Sequence, residues 1–145
     1  MDSTFNIKPR ILAVDYGTKR IGLAQSDPFW MFAQSVGTFD EAKFLSEVEK
    51  IFRLDGIEKF IVGYPLGDGG ETNRMTRLVD EFIAKLTVRY PAVPVEKTDE
   101  HSSSKNAMHF LVEQGVGKKK RQQKGRLDRT VAAMLLQAYL ESQPK

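Results

Sequence analysis

The sequence predicts an α/β protein built on a mixed five-stranded sheet, in which an antiparallel three-strand meander is continued by parallel strands and flanked by helices. Three observations carry this expectation. The run Ile11-Leu12-Ala13-Val14 is apolar at every position, as in a central strand covered on both faces. Two further strand patterns follow with no helical period between them, so the opening pairs as hairpins. Beyond residue 40 strands alternate with helices, which implies parallel pairing through right-handed crossovers.

The first strand ends in Asp15, and Tyr16-Gly17-Thr18-Lys19 turns the chain into a second strand over 20–26, followed by a shorter third over 33–39. Asp40 suits a helix N-cap, and Phe44, Leu45, Val48, Ile51 and Phe52 recur at helical spacing until Asp55-Gly56 stops the helix. Residues 59–64, around Phe60-Ile61-Val62, return as a buried strand. A glycine-rich loop precedes a longer amphipathic helix marked by Met75, Leu78, Val79, Phe82, Ile83 and Leu86 and closed by Pro91. Residues 94–98 make the fifth strand, and 102–114 and 127–142 the last two helices. With no repeat or low-complexity segment, 1–145 is expected to form one domain.

The absence of cysteine excludes disulfides and thiolate metal sites. The first ten residues lack an apolar core of signal-peptide length, and no later run approaches a bilayer span. A cytoplasmic protein with no membrane partner is therefore expected, as monomer or homodimer. Charge is concentrated in one place. Lys118, Lys119, Lys120, Arg121, Lys124 and Arg126 fall in a segment without an acid, and removing those six charges from the formal +3 leaves −3 for the rest. A basic loop beside glycines suits an anion such as nucleic-acid phosphate, although such a loop also serves solubility alone.

Acids stand at element ends. Asp15 closes the first strand, Asp99 and Glu100 follow the fifth, and Asp128 precedes Val131, Ala132 and Leu135 by three, four and seven residues, on the apolar stripe of the last helix. Strand ends of α/β sheets are where ligands bind. Asp15 equally suits a turn and Asp128 the positive end of a helix dipole. If the acids share one rim, like charges ~4 Å apart repel by roughly 4 kcal/mol at an effective dielectric near 20, so such a cluster needs a cation. An all-oxygen set favours Mg²⁺ or Mn²⁺, which can activate water and stabilise the leaving oxygen in phosphodiester hydrolysis.

Other residues carry weaker signals. Lys19 and Arg20 can steer a phosphate toward Asp15 or simply be solvated. Gly67, Gly69 and Gly70 match no nucleotide-binding fingerprint and read as a loop. His109, among Met108, Phe110 and Leu111, reads as structural. Phe29, Trp30 and Phe32 are expected to line a core edge in preference to stacking on bases.

Four segments together resemble the YqgF (RuvX-type) family of RNase H-like nucleases. They are Val14-Asp15-Tyr16-Gly17-Thr18-Lys19-Arg20-Ile21-Gly22-Leu23-Ala24 with Ser26-Asp27, Val62-Gly63-Tyr64-Pro65-Leu66, Asp99-Glu100-His101, and Asp128-Arg129-Thr130-Val131-Ala132-Ala133 through Gln137-Ala138-Tyr139-Leu140. The resemblance implies an RNase H-like fold and divalent-metal chemistry. It also implies either processing of the 5′ end of pre-16S ribosomal RNA or resolution of Holliday junctions. It implies that Asp15 is the first-strand carboxylate, Glu100 the acid after the fifth strand with Asp99 beside it, and Asp128 the acid of the last helix. Two departures stand out. His101 occupies the position where the family usually has Arg, and the fourth strand offers Val62, Gly63 and Tyr64 where junction-resolving relatives carry an acid. Actin-like and sugar-kinase ATPases share the Asp-x-Gly-Thr element but enclose nucleotide between two domains, for which this chain is too short. The expected activity is a metal-dependent nuclease acting on structured RNA, with a dimeric DNA-junction endonuclease and a non-catalytic RNA-binding module as alternatives.

Overall fold

The computed structural model describes residues 7–99 and 124–144, of which 124–130 are described as helix backbone only. The elements run β1 (Arg10–Tyr16), β2 (Ile21–Ser26), β3 (Ala33–Phe39), α1 (Glu41–Leu54), β4 (Ile57–Tyr64), α2 (Arg74–Arg89), β5 (Val95–Asp99) and α3 (Lys124–Ser142). The sheet order is β3-β2-β1-β4-β5. β1 pairs antiparallel with β2, and β2 with β3, while β4 runs parallel to both β1 and β5. This is the expected mixed five-stranded sheet, arranged as in RNase H-like proteins. The predicted helix over 102–114 lies outside the described residues.

Helix boundaries follow local chemistry. Asp40 caps α1 by accepting the Lys43 N–H at 2.8 Å, and Gly56, at φ +79°, ends it in a conformation that side chains disfavour. Asn73 and Thr76 form a reciprocal capping box at the start of α2. The last helix starts at Lys124, three residues before the expected 127, so Lys124 and Arg126 belong to helix backbone where a basic loop was expected. Lys and Arg have good helix propensity, which offsets Gly125.

Alternation along the strands divides the interior into two layers. Leu12 and Val14 of β1 and Phe60 and Val62 of β4 pack with Phe44, Val48, Val79, Phe82 and Leu86 from α1 and α2. Ile11, Ala13, Ala24 and Ile61 face the other way and are covered by Val131, Ala132, Leu135, Leu136 and Leu140 of α3. The alanines on both surfaces let α3 lie close to the sheet, since interaxial distance follows side-chain size.

Phe60 lies fully buried in the first layer, its ring 6.0 Å from that of Tyr90. Phe60→Ala is expected to cost about 3–5 kcal/mol through lost transfer energy and a residual cavity. Urea unfolding measures this, and a cost near zero would contradict the packing described.

Candidate active site

Asp15 sits one residue before the end of β1, opposite Gly22 of β2, and is 8% exposed. By alternation it shares the face of Ile11 and Ala13, the α3 side. On that face both lateral neighbours lack a side chain. Gly22 is the cross-strand partner, and Gly63 follows Val62, which pairs with Val14. Asp15 therefore stands between two glycine positions. Gly17 starts the β1–β2 turn, and a Cβ there would stand 2.6 Å from the Arg20 carbonyl oxygen, so the turn beside Asp15 closes only on glycine.

α3 is pinned at the other end of the sheet. The Gln137 side-chain oxygen accepts the Ala33 N–H at 2.9 Å, and the Lys59 ammonium donates to the Tyr139 hydroxyl at 2.9 Å. Ala33 pairs with Ser26, four residues along β2 from Gly22, a distance of about 14 Å at ~3.4 Å per residue. Position 128 precedes Gln137 by nine residues of helix, again about 14 Å at 1.5 Å per residue. The helix backbone thus carries position 128 back to the level of Asp15, on the stripe of Val131, Ala132 and Leu135.

β5 separates the two acids that follow one another at its end. Val95 packs on the first layer, so Lys97 and Asp99 lie on that α1/α2 side, with Asp99 paired to Tyr64. Asp99 and Asp15 therefore belong to opposite faces. Glu100, His101, His109, Lys118, Lys119, Lys120 and Arg121 lie outside the described residues, as do the side chains of Lys124, Arg126 and Asp128. Among the described residues no three His, Asp or Glu gather as a metal site.

A polar cluster that spacing did not reveal borders the rim on the α2 side. Asp80 accepts from the Tyr64 hydroxyl at 2.8 Å and from the Lys97 ammonium at 2.8 Å, while Lys97 lies 4.4 Å over the Tyr64 ring. The Lys97 hydrogen bond is the largest influence on Asp80 and, with Tyr64, holds its carboxyl below the usual value despite partial desolvation. Lys97 is raised in return, first by Asp80. The three residues come from β4, α2 and β5, so no motif announces them.

The aromatic turn between β2 and β3 corrects an expectation. Trp30 does pack on the second layer, its indole N–H donating to the Pro9 carbonyl at 2.8 Å. Phe29 and Phe32, expected at a core edge, are 50% and 62% exposed. The cause is Asp27, whose carboxylate accepts the N–H groups of Phe29, Met31 and Phe32 and fixes a turn in which Trp30 adopts φ +59°. This turn stands at the end of the sheet remote from Asp15. The loop after β4 is organised internally, with Gly67 N–H bonded to the Glu71 carbonyl and Asn73 donating to the Pro65 carbonyl.

The family model described as RuvX, Holliday junction resolvase, matches residues 9–142. A relative from Chlorobium phaeobacteroides (strain BS1) is 52% identical over 133 residues, covering 92% of each chain. One from Prosthecochloris aestuarii (strain DSM 271 / SK 413) is 49% identical, covering 92% of this chain and 94% of its own. A more distant one from Salinibacter ruber (strain DSM 13855 / M31) is 35% identical, covering 95% and 96%. All three bear the name "Putative pre-16S rRNA nuclease". Among the described residues no helix is long and apolar enough to cross a membrane.

A folded-state carboxyl below its ordinary value adds stability that is complete above that value and is lost as pH falls through the folded one. Asp80 is therefore expected to titrate below 3.8 by NMR, and Lys97→Met to raise its midpoint. An unchanged midpoint in the variant would remove Lys97 as the cause.

Proposed function

Because this chain belongs to the RuvX family, we propose that it is a divalent-metal-dependent nuclease that trims the 5′ end of pre-16S ribosomal RNA. The observation that carries the reading is the position of Asp15, held on the α3 face between Gly22 and Gly63 at the level of position 128. Asp15, Glu100 and Asp128 are the acids that would hold Mg²⁺ or Mn²⁺. Their oxygens suit hard cations. When bound, such ions supply Lewis acidity to the attacking and leaving oxygens of a phosphodiester.

The choice of Glu100 over Asp99 rests on parity. Asp99 shares the face of Val95 and Lys97, opposite that of Asp15, which disfavours it as a partner of Asp15 on one ion. Asp15 is rigidly based, because β1 is fixed by strands on both sides. Lys19 and Arg20, in the turn that leaves β1, and the acid-free run Lys118, Lys119, Lys120, Arg121, Lys124 and Arg126 of the sequence are the positive charges that would meet the substrate backbone. His101 brings a group that is mostly neutral near pH 7 to the position of the family's usual arginine.

A second reading, cleavage of a four-way DNA junction, is favoured by the description of the matching family. It would require a dimer for two symmetry-related cuts.

Labelled pre-16S 5′-leader RNA and a four-way DNA junction, each incubated with Mg²⁺ or Mn²⁺, test both. Asp15→Asn is expected to lower cleavage at least about a hundredfold, as for loss of a group acting at the reacting atoms, while substrate remains bound. Preferential cutting of the junction would select the second reading. Tight RNA binding without cleavage by the natural chain would make the protein a binding module.

A further inference from the structure

We infer that α2 supplies a second substrate-binding arm, in which Arg74 and Arg77 hold the phosphates of a nucleic-acid strand after it crosses the end of β1. The inference rests on the nuclease reading for the identity of the strand, and on charge placement for the arm itself.

Seven lysines and arginines in the described residues are paired with acids, from Arg10 with Asp55 to Lys97 with Asp80. Lys8 lies over the Trp30 ring, and Arg89 stands beside Tyr90 and Glu49. The four cations that remain are Lys19, Arg20, Arg74 and Arg77, all exposed and none ion-paired with a described residue. They are not scattered. Lys19 and Arg20 occupy the turn leaving β1, and Arg74 opens the helix that follows β4, whose cap Asn73 is bonded at 2.9 Å to Pro65 just beyond that strand. Arg77 stands one turn further along α2. The unpaired cations thus flank the strand end that bears Asp15.

The placement of Arg74 works against helix stability. α1 follows the dipole, with Glu41 in its first turn and Arg53 in its last, whereas α2 has no acid in its first turn and starts with arginine. A cation there faces the positive end of the helix and gains no compensating ion pair from the described residues. The Thr76 N–H is already taken by Asn73, so binding falls to the guanidinium groups, which suit phosphate oxygens. Glu71, the nearest preceding acid, is turned onto Gly67 and Gly69. β2 and β4 flank β1 at two strand spacings, about 10 Å, so a nucleic-acid strand crossing the end of β1 passes the turn that carries Lys19 and Arg20 on one side and the end of β4, which leads into α2, on the other.

Binding of fluorescent pre-16S leader RNA to the full chain in chelator, from 50 to 200 mM KCl, tests the arm without cleavage. R74Q/R77Q is expected to weaken binding and to flatten the slope of log K against log[salt] by about 1.4–1.8, for two lost phosphate contacts. Its melting temperature should equal or exceed that of the natural chain, while R74K/R77K should keep the slope and K43Q/K85Q leave it unchanged. An unaltered slope in R74Q/R77Q, or an equal loss in K43Q/K85Q, would overturn the arm. A flattened slope in a chain that binds but does not cut with Mg²⁺ or Mn²⁺ would support the arm and remove the nuclease reading.

Discussion

Along β1, Leu12 and Val14 enter one apolar layer and Ile11 and Ala13 the other, so the strand has no solvent face until both layers end. Beyond Arg10 at its start, Asp15 is the first position of the strand that carries a charge. Its location is therefore set by packing, and so is the side of the sheet that it faces. The same alternation, transmitted through the parallel register to β4 and β5, sets Gly63 beside Asp15 and Asp99 on the far face. The small residues that admit α3 to the second layer also bring its backbone close to β1. Core and site are consequently one arrangement: a shift of β1 by a single residue would exchange the layers and move the carboxylate to the wrong side.

The charges divide by the same geometry. Among the described residues, seven cations are matched by acids. At the strand ends the matching stops, and four cations stand exposed around a nearly buried carboxylate. Exposed ion pairs contribute little stability, so leaving these cations unpaired costs the fold little while their fields remain available to an anionic strand. Asp80, Lys97 and Tyr64 form the boundary, a closed set of hydrogen bonds that holds α2 to β4 and β5 beside the open rim. Rigid support next to unpaired charge suits a surface that must hold a backbone without rearranging.

Much of this was legible in the residues. The doubly buried strand, the helix caps at Asp40 and Asp55-Gly56, and the apolar stripe of Val131, Ala132 and Leu135 all have short-range signals that tertiary packing respects. The face of Asp99 was not legible, because it depends on where Val95 enters the sheet, and β5 is too short and too exposed to display its own period. Phe29 and Phe32 misled for a different reason. Three hydrogen bonds to Asp27 outweigh the burial that their composition suggests, and a turn fixed by one carboxylate leaves no hydrophobic pattern to read. The arginines of α2 went unnoticed because their significance lies in the pairing of most other described cations, which only the folded chain reveals.

The central claim is that carboxylates from β1, the end of β5 and α3 hold a divalent ion on the α3 face of the strand ends. Adding Mn²⁺ to the isotope-labelled protein and recording amide broadening by NMR tests it most directly, because a paramagnetic ion marks its surroundings whether or not any substrate is cut. The account predicts broadening centred on Asp15, Gly17, Gly22 and Gly63, absent at the remote Asp27–Phe32 turn and largely lost in Asp128→Asn. Broadening centred elsewhere, or equally strong in that variant, would contradict it.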